Sequence, residues 1–88
     1  MGLDTVETVL WAEKNFGVEI SDEAASYIRT VDEFCTCIHQ RLVAKNGFHA
    51  KRKSRVFDEP RQYLVKQYGI KPEQVTPEAE FIKDLGMG

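Results

Sequence analysis

Cysteine is nearly absent from this chain. Its two copies, Cys35 and Cys37, are too few and too close together for a disulfide framework. Long apolar runs are missing as well. Nothing approaches 18 consecutive apolar residues, so no membrane-spanning helix and no membrane partner are expected. No signal-peptide pattern is visible, because the sequence opens into an amphipathic stretch that carries acids, and a cytoplasmic location is expected. There is no Ser-His-Asp set, no Gly-rich phosphate loop and no paired-carboxylate cleft, so no enzyme activity is expected. Strand signals, internal repeats and low-complexity tracts are also lacking. What remains is one domain over residues 1–88, long enough for only a modest core.

The longest stretch without acidic charge lies in the middle of the chain. Between Gln40 and Phe57 stand six basic residues (Arg41, Lys45, Lys51, Arg52, Lys53 and Arg55) and no acid. The rest of the chain holds the other 6 of its 12 basic residues against all 14 acidic ones, a net of −8 behind an overall −2. An acidic body thus carries a basic insert. Only Phe48 and Phe57 accompany the insert, with no recognised binding fold, so it reads as a solvated linker over 44–57 and no nucleic-acid partner is expected.

The most periodic stretch is the first. Leu3, Val6, Val9, Leu10, Glu13 and Phe16 fall on the i, i+3, i+4, i+7 grid, predicting a helix over 3–16 with that stripe inward. Asp4 and Glu7 sit where the helix dipole favours negative charge, and Gly17 stands where a left-handed residue would end the helix. Ser21 predicts the cap of a brief helix from 22 to about 28, with Ala25 and Ile28 buried. Thr30 and Glu33 have capping-box spacing, and Val31, Phe34, Ile38 and Leu42 form a helical stripe to about Val43. Asn46-Gly47 is a turn signal. Asp58 is the expected cap of a helix over 58–69, with Pro60 in its first turn, Tyr63, Leu64 and Tyr68 inward, and Gly69 closing it. This helix should cover the first one, with Leu64 meeting Val6 or Leu10. Pro72 and Pro77 leave 70–81 as an ordered loop pinned by Ile70, Val75 and Phe81. The expected class is all-α: a small antiparallel helical bundle of three longer helices and one short.

Taken in two blocks, the sequence resembles the acyl carrier protein family. Residues 3–43 are similar to that family's second half, with Leu-Asp-Thr-Val-Glu from 3, Phe-Gly-Val-Glu-Ile from 16, Ser-Asp-Glu-Ala from 21 and Thr-Val at 30. Residues 58–86 are similar to its first half, with Tyr-Gly-Ile-Lys-Pro-Glu-Gln-Val-Thr-Pro from 68, then Ala79, Phe81 and Asp84-Leu85-Gly86. The blocks cover about four-fifths of the chain in reversed order, so it resembles a circular permutant.

The resemblance implies a carrier-like bundle that docks with enzymes of acyl, fatty-acid or polyketide metabolism. It also implies that Asp4, Glu7 and Glu13 form the acidic partner-binding face, since such charges steer encounter and fix register. Lys14 stands on the same helix where the family usually has an acid. The serine that carries phosphopantetheine in the family corresponds to Gly2, which has no hydroxyl, so no arm is expected. A structural or regulatory interaction domain that kept the fold and lost the carrier chemistry is the second reading. A monomer is favoured, with exchange of the 58–69 helix between two chains as the other arrangement.

Two further clusters invite chemistry. Cys35, Cys37 and His39 read Cys-x-Cys-x-His, but helical residues two apart point about 200° from each other, so no metal site is expected. Trp11 and Tyr27 are expected in the core, and Ser21, Ser26 and Ser54 lie outside any motif for arm attachment.

Overall fold

Local capping chemistry sets several of the helix boundaries in this protein. The computed structural model describes residues 3–47 and 53–87, with side chains from Thr5 and from Arg55 onward in the two stretches. Four α-helices result: α1 (Leu3–Phe16), α2 (Asp22–Ser26), α3 (Val31–Asn46) and α4 (Lys53–Tyr68). A 3-10 turn at Pro72–Gln74 and further turns complete the chain. Among the described residues there is no strand, only an isolated antiparallel bridge between Thr30 and Glu80. The protein is an all-α helical bundle of three longer helices and one short, as the pattern predicts.

The caps expected at Ser21, Thr30 and Gly17 are formed. Ser21 Oγ accepts from the Ala24 amide at 3.1 Å and starts α2. Thr30 Oγ1 accepts from the Glu33 amide at 3.2 Å, and Glu33 Oε1 accepts from the Thr30 amide at 3.0 Å, a complete capping box. Gly17 ends α1 with φ of +66°, a conformation that strains any residue with a Cβ. Lys45 Nζ donates to the Gly17 carbonyl and ties the end of α1 to the last turn of α3.

The segment after α4 is ordered because it closes the open end of α3. The first amides of a helix have no partner within it. Here the Val31 amide donates to Ala79 O at 3.0 Å and the Asp32 amide to Pro77 O at 2.9 Å. Ile70, Val75 and Phe81 are buried as expected, joined by Ala79 and Met87. Phe81 meets Phe34 edge-on, with ring centroids 5.6 Å apart. The predicted stripe of α3 is the centre of the core: Val31, Phe34, Ile38 and Leu42 are all buried.

Direction follows from three contacts between α1 and α4. Glu7 meets Tyr68, Trp11 meets Tyr63 and Asn15 meets Glu59, so numbers rise along one helix as they fall along the other. The two helices are antiparallel. Trp11 on Tyr63 is the stacked contact among the three, while Val6 and Leu10, the expected partners of Leu64, are largely exposed.

That contact accounts for a correction to the register of α1. Its buried face is Thr5, Thr8, Ala12 and Phe16, while Val6 and Leu10 are 42% and 52% exposed. Stacking Trp11 on α4 turns Val6 and Leu10 outward. Thr5 and Thr8 then stand across a small gap from Phe34 and Phe81.

A second correction concerns α4, which begins at Lys53 and not at Asp58. Residues 44–46 end α3 and 53–57 open α4, so the expected 44–57 linker is mostly helix. Pro60 consequently lies inside α4, where it removes the amide that would bond to the Val56 carbonyl. An interior proline costs about 3 kcal/mol. Burying a Val or Phe side chain contributes about 1.5–3 kcal/mol each. Val56 is fully buried, Phe57 packs on the core and the Pro60 ring is itself enclosed, so burial offsets the break.

Candidate functional site

The turning-out of Val6 and Leu10 opens a groove at the surface. With α2 and the loop before it, α1 bounds an open groove of about 310 Å³. Val6, Val9, Leu10, Ile20 and Ala25 give it apolar walls, and Glu13 and Asp22 also line it. Glu7 and Glu13 lie three residues before and after Leu10, and side chains at that spacing share a helix face. The outer face of α1 therefore presents an exposed leucine between two carboxylates, with Lys14 a turn beyond it.

The three expected partner-binding acids have different fates. The Asp4 side chain lies outside the described residues, as does Gly2. Glu7 is exposed and accepts a hydrogen bond from the Tyr68 hydroxyl at 3.4 Å. Glu13 is half-buried, and its Oε2 accepts from the Ile20 amide at 3.1 Å, which folds the loop against α1. Glu7 and Glu13 thus share the groove's helix, and Glu13 has a structural duty besides.

Tyr68 sits where α4 reaches α1. Burial, together with hydrogen bonding to Tyr63, pushes its hydroxyl up to about 12 from the usual 10. Its nearness to the Glu7 carboxylate acts in the same direction. Tyr68 is therefore a neutral donor to Glu7 across the physiological range.

The other expectations resolve in physical terms. Cys35 is buried in the core and Cys37 is half-buried beside Tyr27 and Ile28. Among the described residues no group of three or more His, Cys, Asp or Glu converges. Trp11 packs edge-on to Phe16 and flat on Tyr63, as a core aromatic should. Tyr27 does not: it is 72% exposed, because α2 ends at Ser26 and the chain turns it outward. Ser21 caps α2, Ser26 Oγ donates to Glu23 O at 2.6 Å, and the side chain of Ser54 lies outside the described residues. Asp84 folds its own turn, with Oδ2 accepting from the Glu80 amide at 2.8 Å.

Among the described residues, an interior gap lies between α1, α3 and the Phe81 turn. Thr5, Thr8, Val9, Ile28, Phe34 and Phe81 surround a gap of about 10 Å³. That is room for about one water at most, so an alkyl chain has no place there. The same gap places Phe81, near one end of the chain, against the start of α1. Among the described residues no helix is long and apolar enough to cross a membrane.

The sequence pattern leaves the rotation of α1, and with it the groove, undecided. Thr5, Thr8, Ala12 and Phe16 are also helically spaced, so α1 has two candidate inner faces. The larger side chains of Val6 and Leu10 favour the other one until Trp11 is given its partner. No protein-family model matches the chain, and no solved structure matches it significantly.

Proposed function

We propose that the protein is a non-catalytic, carrier-like docking module that binds enzymes of acyl, fatty-acid or polyketide metabolism in the cytoplasm, without a phosphopantetheine arm. The observation that carries this reading is the outer face of α1, where exposed Leu10 stands between Glu7 and Glu13 over an open groove. An exposed apolar centre with a charged rim is the composition of a protein-binding surface. The resemblance to acyl carrier proteins supplies the partner class, and the placement of Phe81 against the start of α1 supports the exchanged order of the two blocks. Gly2, at the position of the family's attachment serine, supports the absence of an arm.

One specific observation favours the second reading, a structural or regulatory domain that kept the fold alone. Glu13 is half-buried and engaged with the Ile20 amide, so one of the three face acids has a purely structural reason to be there.

Titration of the labelled chain with a ketosynthase and an acyltransferase from its own host separates the two. Shifts confined to α1 and α2, lost in a Glu7→Lys variant, are expected from the docking module. A flat titration with both enzymes would leave the structural reading standing. In parallel, incubation with a phosphopantetheinyl transferase and coenzyme A should leave the intact mass unchanged. A gain of one arm at any residue would overturn the armless assignment.

A further inference from the structure

We infer that the groove between α4 and the Pro72–Gln74 turn captures the free C-terminal carboxylate of a partner polypeptide, one that lies extended along α4 and ends in an apolar residue. The inference goes beyond the docking reading above and shares no residue with it. Its basis is one face of α4. Asp58, Arg61, Gln62 and Val65 fall at i, i+3, i+4 and i+7, with Lys66 beside them and Pro72 across from them. Together they line a surface groove of about 360 Å³.

Arg61 is preset for a carboxylate. Its Nε donates to the Pro72 carbonyl at 3.2 Å. That carbonyl is itself fixed, because it also accepts from the amide of buried Val75 at 3.2 Å. The bond to Pro72 uses one of the five guanidinium N–H donors and leaves four on the two terminal nitrogens. A fork held this way loses little freedom when it takes a carboxylate in two parallel bonds. Lys66, exposed one turn beyond Gln62, adds a second cation. Half-buried Val65, with Pro72 across from it, supplies an apolar surface for the last side chain of the incoming polypeptide.

Shape and charge choose among occupants. A helix rises about 1.5 Å per residue, so Asp58 to Lys66 spans about 12 Å, the length of about four extended residues. The groove is an open trough. A small molecule there would keep much of its surface in water, unlike the ligand of an enclosing pocket. The end of a polypeptide instead makes contacts along its whole length, as in other modes of terminal-carboxylate capture. The lining side chains sum to a formal +1, from Arg61 and Lys66 less Asp58. That suits a single carboxylate, whereas a phosphate dianion would also meet the Asp58 charge.

The test is an NMR titration of the full labelled chain with N-acetyl-Ala-Ala-Ala-Leu carrying a free carboxylate. Saturable shifts are expected at Gln62, Val65, Lys66 and the Arg61 Nε–H, weakened by added salt. The C-terminally amidated peptide should bind at least about tenfold more weakly, as loss of a charge-assisted pair does. Arg61→Lys keeps the charge without the fork and should weaken binding about as much. That variant also releases the Pro72 carbonyl, so Lys66→Ala is the second one, since the Lys66 nitrogen takes no part in that bond. It should weaken binding about two- to fivefold. Lys83→Ala, at an exposed cation outside the groove, should leave it unchanged.

Equal binding of the amidated peptide would overturn the inference in favour of apolar contact alone. The same shifts at similar concentrations of acetate or inorganic phosphate would overturn it in favour of a free anion. Absence of saturable shifts at these residues, or binding unchanged in both Arg61→Lys and Lys66→Ala, would overturn it outright. No acyl-metabolism enzyme enters these measurements, so this site and the docking reading stand or fall separately.

Discussion

Trp11 and Tyr63 stack face to face, ring centroids 4.3 Å apart and planes 11° from parallel. They are 52 positions apart in sequence, and the contact ties α1 to α4 across the whole of α2 and α3. It also sets the rotation of α1, and so decides that Val6 and Leu10 reach the surface.

A double-mutant cycle tests that pairing. Trp11→Ala and Tyr63→Ala should each destabilise the fold, and their combined effect should fall short of the sum by about 0.5–1.5 kcal/mol. Strict additivity in urea unfolding would mean that the rings do not meet.

Phe34→Ala should be among the most damaging single changes. Phe34 is 1% exposed and carries Phe81 edge-on. Removing a buried Phe typically costs about 3–5 kcal/mol, a large share of the stability of a small domain. A loss under about 1 kcal/mol by denaturant unfolding would place the ring at the surface.

Thr30→Ala removes the hydroxyl that receives the Glu33 amide and opens the capping box of α3. The expected loss is about 1 kcal/mol, while Thr30→Ser should restore most of it. Thermal unfolding of the three proteins side by side gives the ranking. An alanine variant as stable as the parent would exclude the cap as a contributor.

Tyr68 gives a pH signature at the alkaline end. In the folded chain its hydroxyl is pushed up to about 12, whereas in the unfolded chain it ionises near the ordinary 10. The contribution is fully present below pH 10. Above that the unfolded state loses its proton first, so stability falls as pH rises from about 10 to about 12. Tyr68→Phe should abolish that part of the slope and remove a phenolate absorbance transition centred near 12. If the two proteins lose stability in parallel over that window, the hydroxyl is not held by burial and Tyr63 as described.

Much of the fold is legible because its causes are local. Thr30 with Glu33, Ser21 and Gly17 act through neighbours within four residues, and the structure puts each where spacing alone predicts. The stripe of Val31, Phe34, Ile38 and Leu42 is equally plain, since no competing face on α3 is apolar. The first helix is different, because two faces of α1 are apolar enough to bury. Only the arrival of Tyr63 from far downstream selects the one with Thr5, Thr8 and Ala12.

The fourth helix shows the same limit from the other side. Local rules place Pro60 at a helix start, and that reading leaves Val56 and Phe57 in a linker. In the folded chain both residues are needed against α3, and their burial is comparable to the loss of one backbone hydrogen bond at Pro60. The candidate site inherits both decisions. Glu7 and Glu13 could be named from the sequence only through the resemblance it bears to acyl carrier proteins. The groove beside them could not, because it exists only when a tertiary contact turns Leu10 away from the core. Sequence by itself determined the helix count, the caps at Ser21, Thr30 and Gly17, and the core stripe of α3. Tertiary packing decided the rotation of α1, the start of α4 and hence the surface offered to a partner, because burial of side chains from distant segments outweighs local preference wherever that preference is nearly balanced.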